Sequence, residues 1–73
     1  MKKKLTVALH LIDLEYRQLL ETHLKHTQAM GLQERNKYSV ANITKVQRGE
    51  RGNLHVHYAS GDWWHYIPNR EWY

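Results

Sequence analysis

One stretch of this chain carries a clear helical period, and it decides most of what the rest can be. Across 14–30, Tyr16, Leu19, Leu20, His23, Thr27 and Met30 fall on a single stripe, with Leu24 at its edge. Arg17, Gln18, Glu21, Lys25 and Gln28 take the opposite side. Asp13 stands where a helix N-cap is wanted, Glu15 suits the positive end of the helix dipole, and Gly31 is the expected stop. Asp13 with Arg17 and Glu21 with Lys25 are oppositely charged pairs four apart, each worth roughly a few tenths of a kcal/mol. No second stretch of this kind occurs in the 73 residues, so one helix must serve the whole core.

The remaining segments lean towards strands. In 4–12, Leu5, Val7, Leu9 and Leu11 alternate with Thr6, Ala8, His10 and Ile12, a period of two. A helical reading also exists there, through Leu5, Leu9 and Ile12, and the strand is preferred because Asp13 then opens the helix. Residues 32–37 read as a polar connection, and 38–47 is β-leaning through Tyr38, Val40, Ile43, Thr44 and Val46. Two glycines and three charges make 48–53 a loop, and 54–60 alternates cleanly again. Gly61-Asp62 is expected as a two-residue turn, which pairs Tyr58 with His65, Val56 with Ile67 and His57 with Tyr66. That register puts Leu54, Val56, Tyr58, His65 and Ile67 on the core face and His55, His57, Trp64 and Tyr66 on the open one. Pro68 ends the last strand or marks an edge.

A chain this short hides only roughly 60% of its unfolded surface, so two layers are the most it can build. With 41% hydrophobic and 25% charged residues it has ordinary globular composition. The expected fold is α+β, with one helix packed on a small, three- or four-stranded, mainly antiparallel sheet in the order β-α-β-β-β. Residues 1–73 form a single domain with a basic N-terminal end and an aromatic C-terminal tail. The absence of cysteine excludes disulfides and thiolate zinc. No apolar run approaches bilayer length, and no small-residue cleavage site follows the lysines, so the expected location is the cytoplasm, without membrane contact.

Catalytic chemistry finds little support in these residues. Neither Ser39 nor Ser60 stands in a nucleophile-elbow context, and Glu50, Asp62 and Glu71 lie in loops or near the end. No enzymatic activity and no cofactor are expected. His55 and His57 share a strand face, His65 is expected on the opposite face, and His23 and His26 project similarly from the helix. No spacing among them matches a recognised ligand pattern, so no metal site is expected. The 48–53 segment lacks the lysine-threonine pair of a phosphate loop and opens no helix.

What remains is binding. The formal net charge is +4, with the excess in Lys2, Lys3 and Lys4. Arg48 and Arg51 sit at a loop tip suited to an acidic partner or a phosphate backbone. Trp63, Trp64, Tyr66, Trp72 and Tyr73 crowd the C-terminal end beside Arg70, and strand alternation cannot bury Trp63 and Trp64 on one face. Trp, Tyr and Arg are the usual anchors of protein interfaces, and their rings also stack on unpaired bases. Lys2, Lys3, Lys4, Arg48, Arg51, Trp63, Trp64, Tyr66 and Arg70 are therefore the candidate partner-binding residues. Two classes survive: a protein-binding regulator, or a direct nucleic-acid binder using basic residues and exposed Trp and Tyr. The modest charge, the missing nucleic-acid signatures and the mixed outer face of the helix (Glu15, Glu21, Lys25) favour the first.

In size, in its lysine-rich start at Lys2-Lys3-Lys4 and in its aromatic end at Trp72-Tyr73, the chain resembles small phage early proteins that bind host RNA polymerase, those of Xanthomonas phages included. The resemblance implies a monomeric protein in the host cytoplasm with RNA polymerase as its partner. It implies docking near the start of the largest subunit, inhibited initiation through σ displacement or blocked promoter opening, and antitermination. Nucleic acid would be touched secondarily. No diagnostic motif carries family residues across.

Overall fold

A computed structural model describes residues 4–73; Lys2 and Lys3 lie outside the described residues. The fold is α+β. A long helix α1 (Asp13–Gln28) and a short helix α2 (Leu32–Lys37) precede three strands, β1 (Ile43–Arg48), β2 (Leu54–Tyr58) and β3 (Trp63–Tyr66). The strands form one antiparallel sheet in the order β1-β2-β3. The polar connection expected at 32–37 is α2 itself.

The expected first strand is not formed. The chain turns through a 3-10 helix at Thr6–Ala8, with Ala8 N–H donating to the Leu5 carbonyl and Leu11 N–H to the Ala8 carbonyl. Spacing by three replaces spacing by two, so Ala8 and Leu11 enter the core while Leu9 is left exposed. Side chains from elsewhere hold this geometry. The Tyr16 hydroxyl accepts from Leu5 N–H, the Lys4 ammonium donates to the Leu11 carbonyl, and Arg48 donates to the His10 carbonyl.

α1 begins one residue earlier than its period suggests. Ile12 occupies the N-cap position, and Asp13 is the first helical residue. The Glu15 carboxylate accepts from Ile12 N–H at 3.0 Å, which satisfies a donor the helix itself leaves free. Gly31 does not stop α1 in a left-handed conformation; its φ of -72° is ordinary, and it opens α2. The Arg35 guanidinium instead meets carbonyls at the end of α1 and just beyond it, at 2.9 Å from Thr27 O and 3.3 Å from Met30 O.

The buried stripe of α1 is Gln18, Leu19, Thr22 and His26, whereas Leu20 and Leu24 are exposed. Gln18 thus lies on the inner side rather than the outer one. Its amide donates at 2.9 Å to both the Gly52 and the Tyr66 carbonyls, and those two bonds make its burial favourable. The expected pairs within the helix give way to longer ones: Asp13 meets Lys4, Glu15 meets Arg48 and Glu21 meets Arg70.

The β2–β3 register corrects the sequence expectation most sharply. His57 pairs with Trp63, Val56 with Trp64, His55 with His65 and Leu54 with Tyr66. The connection is therefore four residues long, 59–62, not a two-residue turn. Asp62 explains the difference: its carboxylate accepts from the Tyr38 and Ser60 hydroxyls, and its carbonyl accepts from Tyr58 N–H. Gly61, at φ +94°, supplies the left-handed step. An odd slip in register exchanges the two faces of a strand. Trp64 and Tyr66 therefore face the core, and His65 joins His55 and His57 on the open side.

Tyr66, at 0% exposure, sits at the centre of a core formed with Leu11, Leu19, Leu54, Val56 and Tyr58. Beyond β3 the chain turns back at Pro68. Tyr66 bridges Trp72, and His65 and Tyr73 exchange backbone hydrogen bonds at 2.8 and 3.1 Å. The tail thus adds one rung to the sheet and covers its β3 edge.

Candidate functional site

The candidate binding residues separate into three groups. Lys4, Arg48 and Arg70 are engaged within the protein. Arg48 lies on the same side of β1 as Val46, which carries it towards α1, where it forms a two-pronged pair with Glu15 at 2.7 and 2.8 Å. The Arg48 guanidinium beside Glu15 holds that carboxyl below its ordinary range. Arg70 reaches Glu21 at 2.7 Å from a left-handed backbone, φ 69°.

The second group belongs to the core. Tyr66 is not on the open face, and its hydroxyl lies 2.8 Å from His26 Nδ1 and 2.6 Å from the Tyr58 hydroxyl. Trp64 is half-buried, its ring edge-on to His26 at 4.6 Å. Burial pushes the His26 imidazole down to about 4, and burial pushes the Tyr58 hydroxyl up to about 12.

Only Trp63 and Arg51 of the described candidates are free at the surface. Trp63 is 47% exposed. Arg51 has φ 57° at the tip of the turn Glu50–Gly52, a left-handed conformation that costs an L-residue roughly 1 kcal/mol and carries its side chain outward.

Around Trp63 the register assembles a group of rings. One row across the sheet is Lys45, His57 and Trp63; the next is Gln47, His55, His65 and then Tyr73 of the tail. The His57 and Trp63 rings stack at 5.5 Å with 11° between planes, and His65 stacks on Tyr73 at 4.2 Å and 6°. His55 meets His65 at 4.7 Å and Trp63 at 5.3 Å, which joins the rows. Burial, then Lys45, then His55 holds the His57 imidazole below its ordinary value. The His55 ring also packs on Gly49, where a Cβ would stand 2.5 Å from Nε2, so only glycine admits the ring in this position. Among the described residues no group of three or more His, Cys, Asp or Glu side chains is arranged to hold a metal ion.

A second surface lies where the first strand was expected. Leu9, Ile12 and Leu14 are 64%, 59% and 70% exposed and fall within six consecutive positions, 9–14. Sequence alternation put Leu9 and Ile12 on opposite faces of a strand, so the strand reading did not group them. His65, Tyr73, Lys45 and Gln47 were missed for a different reason, since their convergence depends on register. Among the described residues no helix is long and apolar enough to cross a membrane.

Fold and surfaces together define a small α+β body with two exposed, chemically distinct faces. Compared with known proteins, the chain matches no protein family, no curated protein and no solved structure.

Proposed function

We propose that this protein is a small phage-type regulator that docks on host RNA polymerase, inhibits transcription initiation by displacing σ or blocking promoter opening, and acts as an antiterminator. It performs no chemistry of its own and works in the host cytoplasm. The resemblance in size and character to small phage early proteins supplies the partner. The observation that carries the docking is the exposed run of Leu9, Ile12 and Leu14 in a chain with so little surface to spare. These aliphatics lie near the lysine-rich start of the sequence. A formal net charge of +4 speeds encounter with an acidic protein surface, and apolar side chains buried on docking slow release. Arg51 adds a free guanidinium, whereas Arg48 and Arg70 act inside the molecule.

The test is a tagged pull-down from bacterial lysate treated with nuclease. Polymerase subunits should be recovered by the native protein. The variant Leu9→Asp/Ile12→Asp, with an unchanged circular dichroism spectrum, should recover at least about tenfold less. Loss of every partner after nuclease, or undiminished recovery by the folded variant, would overturn this assignment.

A further inference from the structure

The open face of the sheet is not used by the docking proposed above. It presents five rings in two adjoining rows, Trp63 with His57 and His55 with His65 and Tyr73, and no Asp or Glu side chain stands in either row. Lys45 lies at the end of the first row and has no carboxylate within ion-pair distance among the described residues. Beside the second row, between Tyr73 and the 48–53 loop, is a groove of about 400 Å3, where Asn53 offers an amide and the Glu50 carboxylate and Arg48 stand at the loop side. Among the described residues, none of the side chains of Trp63, His55, His57 and His65 makes a hydrogen bond.

We infer that this face binds single-stranded RNA. Trp63 and Tyr73 offer ring surfaces on which unpaired bases stack, the imidazoles offer hydrogen-bonding edges, and Lys45 meets the phosphate backbone. Charge decides against an acidic peptide less than geometry does. A peptide would have to desolvate three imidazoles at the centre of its footprint, where protein interfaces favour apolar groups. A base stacks with its edges still free to bond, and every base has a π-face. A duplex keeps those faces inside its own stack, so only an unpaired strand fits. An antiparallel sheet bearing rings has room for two or three bases, the footprint of sheet-based RNA readers generally. The choice of RNA over DNA rests on the polymerase reading, which puts the protein near an emerging transcript, and on Gln47 and Asn53 as partners for the 2′-hydroxyl.

The experiment uses the purified full chain and a short fluorescein-labelled oligouridine, followed by fluorescence anisotropy. Binding should weaken with added salt and should be about tenfold weaker for Trp63→Ala, the loss expected for one stacked base. Lys45→Glu, at an exposed position that cannot unfold the core, should weaken binding and flatten its salt dependence. Unchanged affinity in both variants, or equal affinity for duplex RNA, would overturn the inference; tighter binding of DNA of the same sequence would overturn the assignment to RNA. The polymerase reading fails separately. Trp63→Ala that loses RNA but recovers polymerase leaves that reading standing, and Leu9→Asp/Ile12→Asp that binds RNA but still recovers polymerase removes it.

Discussion

The two faces of the β2–β3 hairpin are built from alternate residues of the same two strands, yet they treat their polar groups in opposite ways. On the inner face the Tyr58 and Tyr66 hydroxyls bond each other, and Tyr66 also meets His26. On the outer face His55, His57, Trp63 and His65 touch one another only through their rings. The Tyr58 and Tyr66 hydroxyls and the His26 imidazole are spent on the fold, because each would cost roughly 1–3 kcal/mol if buried without a partner. Of the polar groups on this face, the Trp64 indole Nε1 is the exception, buried with no partner among the described residues. Water relieves the outer groups of that constraint, so they remain available to an external ligand. Burial thus divides structure from recognition at a spacing of one residue.

The largest effect that would break this contrast is at Tyr66. Tyr66→Ala should lower unfolding free energy by about 3–5 kcal/mol, as read by urea titration, since it removes a fully buried ring from the core centre. A loss below about 1 kcal/mol would show that the two faces do not differ.

Acid sharpens the comparison next. The folded His26 stays neutral down to about 4, while its ordinary value in the unfolded chain is 6.5. Between those values the unfolded state binds the extra proton, so stability falls as pH drops from 6.5 towards 4. The loss is on the order of 3 kcal/mol at most. The His57 imidazole, also held low, adds a smaller fall of the same sign. Denaturation curves across this range should flatten in His26→Phe; an equally steep curve would assign the acid sensitivity elsewhere.

The smallest expected effect is on the outer face. Trp63→Ala should change stability by less than about 1 kcal/mol in the same titration, despite removing the largest side-chain type. A loss comparable to that of Tyr66→Ala would make Trp63 a structural residue and erase the distinction.

The α1 element was legible because its period is local: residues 14–30 carry the pattern whatever they pack on. Which side turns inward was not. Gln18 is drawn in by carbonyls of Gly52 and Tyr66, 34 and 48 positions away, and no local pattern reports an acceptor at that distance. The strand pattern at 4–12 failed for a related reason, since Ala8 at 0% exposure fits a place that Leu9 does not take. Alternation correctly required Trp63 and Trp64 to part company. The register expected from a two-residue turn put Trp64 outward, the reverse of the structure, because the true register rests on the longer β2–β3 loop, which the bond from the Tyr38 hydroxyl to the Asp62 carboxylate holds. The ring face was therefore legible in its ingredients and hidden in its membership.

The three ion pairs of α1 have a consequence for the order in which the molecule assembles. Each strand of the sheet neighbours the next in sequence, so its hairpins close over short loops. The pairs of Glu15 with Arg48 and Glu21 with Arg70 must instead bring together residues 33 and 49 positions apart. Closure entropy rises with the logarithm of that span, and contacts local in sequence form soonest. The meander and α1 can each form from contacts local in sequence, and the pairs that latch one onto the other carry the larger closure cost.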